Sequence, residues 1–358
     1  MKRWAWTLVA LWLPLLSFGQ EEENQSEKFT FSGFLDLYYG YDFNEPTSEK
    51  RFDFLYNHTR HNKPSVNLAL VSASYQSDRF RANLGLQQGS YVQDNYAAEP
   101  KALRWINEAN LGLALDTEGK VWLDAGVLPS HIGFESAVSK DNLTLSRSLI
   151  AENSPYFETG IRLGWEKSEQ WYFALLYLNG WQRIQAIPGK NKPSFGTQAT
   201  FSPTENTTLN WSTFLGTDQS IEAQTSIYFS NMYGTFSLGE RWKVIGGLDV
   251  GKRVTEGTSD RNWWGIALIA QYRLSERLFS GIRYEYFDDP FQGISVATFD
   301  GGLEAGGFSL NLDHRFGDWG WLRLEGRWLD SQVPIHQGTT PAKAEDFFLL
   351  ASLAVSLD

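Results

Sequence analysis

The 358-residue chain contains no cysteine and only five histidines, and outside its N-terminus it has no run near the roughly 20 apolar residues that a membrane-spanning helix needs. Helical membrane spanning is thereby excluded, and so is a disulfide framework. A formal net charge of −11 argues against nucleic acid as a partner, because such surfaces are basic. What is abundant is aromatic and small: 15 tryptophans, 15 tyrosines, 24 phenylalanines and 32 glycines in a chain only 42% hydrophobic. That balance fits a barrel with an apolar exterior and a polar interior better than a soluble enzyme.

The N-terminus reads as a targeting segment. Lys2 and Arg3 precede an apolar core from Trp4 to Leu16, and Ser17-Phe18-Gly19 supplies small residues for cleavage. Residues 1–19 are therefore expected to be a secretory signal, whose removal takes two positive charges from the mature protein. Residues 20–27 then form a polar tether.

Beyond the tether, a period of two runs through most of the chain. Phe29, Phe31, Gly33, Leu35, Leu37, Tyr39 and Tyr41 share one face, with Asp36 and Asp42 on the other. Val66, Leu68 and Leu70 mark a second strand, and a third sets Phe80, Ala82, Leu84 and Leu86 against Arg79, Arg81, Asn83 and Gln87. A soluble sandwich would turn such apolar faces inward, whereas a membrane barrel turns them to lipid and the arginines to water. Short turns such as Asp116 to Gly119 and Gly239-Glu240 alternate with longer connections such as Phe43 to Lys63. Barrels with tight periplasmic turns and longer outer loops have this arrangement. Counting hairpins gives about sixteen strands, and about ten residues per strand at ~3.3 Å each, tilted by roughly 40°, rise close to 25 Å. The last strand, with Phe347, Leu349, Ala351, Leu353, Val355 and Leu357 on one face, must pair with the first to leave no open edge in lipid. The predicted fold is an all-β transmembrane antiparallel up-and-down β-barrel over residues 28–358, as one domain.

Phase points Arg79, Arg81, Arg104, Arg162, Arg283, Arg315, Arg323 and Arg327 inward, interleaved with Asp36, Glu108, Asp124, Glu158, Glu285, Asp313 and Glu325. On the lipid face at mid-depth an arginine costs about 2–4 kcal/mol, so inward is the low-energy placement. Such charges can simply pair along a wet wall, or they can favour hydrated polar solutes over apolar ones. The arginines slightly outnumber the acids, which hints at a mild anion preference that a one-residue register slip would reverse.

The rhythm stops once. Between the strand at Val121 to Leu128 and its neighbour at Phe157 to Trp165 lies a long irregular stretch, residues 129–155. An insertion of this length asks for a function, and the expectation is that this third outer loop folds into the lumen. His131, Glu135, Lys140, Asp141, Arg147 and Glu152 would then stand at the narrowest point, where charge tunes selectivity most. Left outside, they would be a solvated loop.

Enzyme chemistry finds little footing. His58, His61 and His336 fall in connections, His314 falls near a strand end, and the adjacency of Ser130 and His131 is no evidence of a dyad. His58 and His61 lack further ligands for a metal, so no cofactor or metal is expected.

An ordered set of motifs carries a resemblance. Leu123-Asp124-Ala125-Gly126-Val127-Leu128-Pro129, Ile132-Gly133-Phe134-Glu135, Ser146-Arg147-Ser148 and Ser154-Pro155-Tyr156-Phe157-Glu158-Thr159-Gly160 come first. Asn179-Gly180-Trp181, Trp264-Gly265 and Arg283-Tyr284-Glu285-Tyr286-Phe287-Asp288-Asp289 follow. Together they resemble the OmpL-like beta-barrel porins of Gram-negative bacteria. The resemblance implies an outer-membrane porin for small hydrophilic solutes, with no catalytic residues. Its partners would be outer-membrane lipid, the barrel insertion machinery and, where it assembles, further copies of itself. One departure is the ending Ser356-Leu357-Asp358, where such barrels usually finish on an aromatic residue. Two rivals stand beside the pore: a non-conducting barrel serving as surface anchor or adhesin, and a surface hydrolase built in the wall.

Overall fold

The computed structural model describes residues 27–187, 193–296, 301–335 and 343–357. The proposed signal and nearly all of the tether lie outside them, as does His336. Sixteen strands appear in chain order. They are β1 (Lys28–Asp42), β2 (Ser65–Gln76), β3 (Phe80–Gln88), β4 (Ile106–Ala114), β5 (Val121–Pro129), β6 (Phe157–Ser168), β7 (Trp171–Leu178) and β8 (Ser194–Thr204). Then come β9 (Thr207–Gly216), β10 (Thr225–Leu238), β11 (Trp242–Thr255), β12 (Arg261–Arg273), β13 (Leu278–Asp289), β14 (Leu303–Phe316), β15 (Gly320–Ser331) and β16 (Glu345–Leu357). Two short helices, α1 (Ser90–Asn95) and α2 (Leu149–Glu152), lie in connections.

Each strand pairs antiparallel with the next, and β1 pairs with β16 from Gly33↔Leu357 to Asp42↔Phe348, so the barrel is closed. No backbone edge is left open, which is the requirement lipid imposes. The two faces separate cleanly along β16: Phe347, Leu349 and Leu353 are exposed, while the intervening Phe348, Leu350 and Ser352 are buried. Exposed leucines and aromatics continue around the other strands, giving the apolar belt that a bilayer solvates.

Strand two departs from the predicted pattern. A bulge opposite Asp36/Leu37 lets Asn67 intrude, so Val66 faces out while Leu68, paired with Asp36, is fully buried. An extra residue resets the alternation, so Val66, Leu68 and Leu70 do not share one face. The shortest connection on the loop side is 256–260.

The interior is two-sided along the barrel axis. Toward the short turns it is polar, with Asn83, Asn110, Asp124, Asn210 and Asp313. Toward the long loops it is apolar. Phe214, Phe229, Trp263, Phe287, Leu329 and Phe348 pack there against Phe52, Phe54 and Leu55 from the first connection and Ile132, Leu145, Leu149 and Ile150 from the third. The expectation of an evenly polar wall is corrected by this half, where connecting segments bring their own apolar residues to meet the strands.

Candidate functional site in the barrel lumen

The third connection is held by charged side chains on the inward faces of β13 and β15. Arg283 lies fully buried between Glu285 Oε1 at 3.2 Å and Glu325 Oε1 at 2.9 Å. Arg327 donates to both oxygens of Glu285, at 2.8 and 2.9 Å. The carboxylates then accept from the loop backbone: Ser146 N donates to Glu325 at 2.7 Å and Leu149 N to Glu285 at 2.8 Å. Arg283 also donates to Thr144 Oγ1 at 2.9 Å. Two arginines and two glutamates cancel in charge and are saturated with hydrogen bonds, which lets them sit buried.

Further along, Arg323 pairs with Asp313 at 2.9 Å and donates to the carbonyls of Ser139 and Asn142, while Asn311 Oδ1 accepts from Leu145 N at 2.9 Å. Asp36 on β1 accepts from Ser139 Oγ at 2.8 Å. The segment therefore contacts walls on both sides of the barrel seam.

Its remaining charged residues divide by role. His131 Nδ1 is 2.7 Å from Glu158 Oε1 and its Nε2 is 2.9 Å from the Thr213 carbonyl. Both partners can only accept, so the ring carries both protons. Burial alone would lower its pKa, but the Glu158 charge and hydrogen bond outweigh it and hold the imidazolium above the usual histidine value. Glu135 accepts from the amide and hydroxyl of Ser148, and burial pushes its carboxyl up against the pull of Arg283 and Arg147. Arg147 stacks on the Tyr156 ring at 3.4 Å and donates to the Ala151 carbonyl at 2.7 Å. Glu152 accepts from Tyr56 N at 2.9 Å and Tyr156 Oη at 2.8 Å, tying the first connection to the third. Lys140 and Asp141, 4.0 Å apart, stand at the tip toward the short turns.

The sequence places His58 and His61 in the first connection, with no further ligands beside them. In the fold His58 is buried and its Nε2 lies 2.9 Å from Asp36 Oδ2. The signal that could have exposed this was the cluster Phe52, Phe54 and Leu55 within a polar stretch.

The wall residues sort as follows. Arg81 and Arg162 both clamp Asp124, at 2.6 and 3.0 Å. Glu108 accepts from Asn110 at 2.9 Å. Arg315 is half-buried near the turns, 3.2 Å from Asp318. Arg79 is exposed in the turn before β3, and Arg104 precedes β4, donating to the carbonyls of Glu99 and Ala97 at 2.8 Å each. Two cavities open on the turn side of the third connection. One, of about 310 Å³, is lined by residues including Arg81, His131, Arg162 and Tyr172; the other, of about 590 Å³, includes Lys140, Arg241, Arg315, Trp321 and Arg323. Among the described residues no His, Asp and Glu cluster could hold a metal ion.

The family described as "Putative beta-barrel porin-2, OmpL-like" matches residues 28–357. No curated protein sequence matches the chain. Among solved structures, Salmonella typhi OmpF in complex with daunomycin is similar at 9% identity and a TM-score of 0.64, with 93% of this chain and 99% of that chain covered. The anion-selective porin from Comamonas acidovorans is similar at 10% identity and a TM-score of 0.61, covering 92% and 100%. The outer membrane channel DcaP of Acinetobacter baumannii gives 10% identity and a TM-score of 0.61, covering 93% and 98%. At such identities the likeness is one of fold.

Proposed function

The chain belongs to the OmpL-like beta-barrel porin-2 family and is an outer-membrane barrel, and from this we propose that it lets small hydrophilic solutes or ions diffuse past a lumen narrowed by residues 129–155. One observation carries the reading: the third connection is tied to β6 by the His131–Glu158 pair and to β13 and β15 by hydrogen bonds to the buried Glu285, Glu325 and Arg323, and it leaves cavities of about 310 and 590 Å³ lined by charge on its turn side. A loop fixed in this way limits the passage by size and by charge. His131, Glu135, Lys140, Asp141, Arg147 and Glu152 would then act mostly by fixing the loop, with Lys140 and Asp141 facing the path. Residues 1–19 would direct the chain to the envelope and be removed. The trimer form named for Vibrio cholerae OmpT makes a homotrimer our expectation here.

The test is conductance of purified protein in a planar bilayer. Steady open steps support the pore, and silence from protein that is inserted and heat-modifiable overturns it. A second reading, a barrel shut on its loop side, is favoured by the packing of Phe52, Phe54 and Leu55 on Leu149 and Ile150. Silence would select it.

A further inference from the structure

A row of residues in register crosses four strands: Arg81 on β3, Gly112 on β4, Asp124 on β5 and Arg162 on β6. Arg81 reaches two strands along to Asp124 because nothing stands at position 112. A Cβ there would lie 2.7 Å from Arg81 Cγ and 2.8 Å from its Nε. Trp122 supports the same guanidinium from beside, 4.3 Å from the ring centroid. The arrangement is therefore built from a missing side chain, an aromatic rest and a shared carboxylate.

Its charge does not balance. Arg81 donates to Asp124 through Nε at 2.7 Å and Nη2 at 2.6 Å, and Arg162 does so through Nε at 3.2 Å and Nη2 at 3.0 Å. One buried carboxylate thus serves two guanidiniums, and the Nη1 of each arginine has no protein partner among the described residues. Both arginines line the cavity of about 310 Å³, with Tyr172, Gln198, Lys120 and Glu166. Lys120 is drawn to Glu118 at 2.6 Å and His131 to Glu158 at 2.7 Å, and the Glu166 carboxylate is not paired with either arginine, so the positive charge of the cavity is concentrated at the arginine pair. Fixed, partly desolvated guanidiniums with spare N–H groups match the oxygens of a carboxylate or phosphate.

We propose that Arg81 and Arg162, braced on Asp124, bind a small oxyanion, inorganic phosphate or a carboxylate, in the turn-side cavity. As a statement about what crosses the barrel this rests on the porin reading; as a binding site it stands without it. The oxyanion meets the two Nη1 groups, with the Tyr172 hydroxyl and the Gln198 amide on the cavity wall as further donors. In a chain of net charge −11, such a site holds anions where the overall field repels them.

Calorimetric titration of the full-length protein in detergent at low salt, with sodium phosphate and separately sodium acetate, tests this. Saturable binding of either is expected, and whichever binds more tightly identifies the source of the oxyanion. The triple variant R81Q/D124N/R162Q, which removes charge but keeps polar groups, should bind at least roughly tenfold more weakly. G112A, which leaves all three charges in place and displaces Arg81, should also weaken binding. Native migration of unboiled samples confirms that each variant is folded. No saturable binding to wild type, or wild-type affinity in the folded triple variant, overturns the site. Bilayer recordings of the same wild-type preparation separate the two readings: conductance without binding removes only this site, and binding without conductance removes only the pore.

Discussion

The imidazole of His131 is gripped from both ends, by Glu158 at 2.7 Å on Nδ1 and by the Thr213 carbonyl at 2.9 Å on Nε2, and so bridges β6 to β9, three strands along the same wall. The approach is possible because residue 196 is glycine: a Cβ there would lie 2.7 Å from the ring. The first residues of the third connection are thereby pinned by a cation.

A pH dependence follows. The folded-state pKa of His131 is raised, since the Glu158 charge outweighs the effect of burial, so its contribution is fully present below the ordinary histidine value of about 6.5. It is lost as pH rises through the raised value. Proteolysis within 130–156 should therefore accelerate with alkalinisation, and H131Q should flatten the profile. An equally steep profile in the variant would mean that another group titrates.

Removing one member of the buried network should be costly. E285Q leaves Arg283 and Arg327 sharing one negative charge, Glu325, where there were two. Breaking such a pair costs about 3–5 kcal/mol. The temperature at which the compact gel form converts to the slow form should fall, and an unchanged conversion temperature would show that the network is not holding the fold.

Deleting Ser136 to Asn142 removes the Ser139 links to Asp36 and Arg323 together with the tip at Lys140. Single-channel conductance should rise. If the step size stays the same, the segment does not limit the path.

The outward row of β16 can be probed alone. Leu353 is exposed and pairs with Leu37 and Leu322 on the neighbouring strands. L353R should destabilise the barrel in lipid by about 2–4 kcal/mol, read by denaturant titration in vesicles, and the loss should shrink toward the membrane interfaces.

The barrel was legible because alternation is a local property: Phe347, Leu349 and Leu353 declare their face without reference to any distant residue. Arg283, Glu285, Glu325 and Arg327 were legible as inward charges for the same reason. That they hold Ser146 and Leu149 was not, since those partners lie more than a hundred positions away and no local rhythm connects them. The bulge at Asn67 hid the inward turn of Leu68, because one extra residue inverts every later assignment in a strand. Arg79 and Arg104 were assigned to strands that begin one and two residues later. The burial of His58 on Asp36 escaped because it depends on a connection folding back on its own strands. The unshared positive charge beside Asp124 needed the register of four strands, which only the sheet supplies.

The seam between β1 and β16 joins Gly33 to Leu357, so the ring is completed by contact between the first strand and the last. Until they meet, both margins carry unanswered hydrogen-bonding groups. This pairing spans a greater sequence separation than any other between the strands, the kind of contact that forms slowly, and a half-made cylinder would adhere to any neighbour offering a strand.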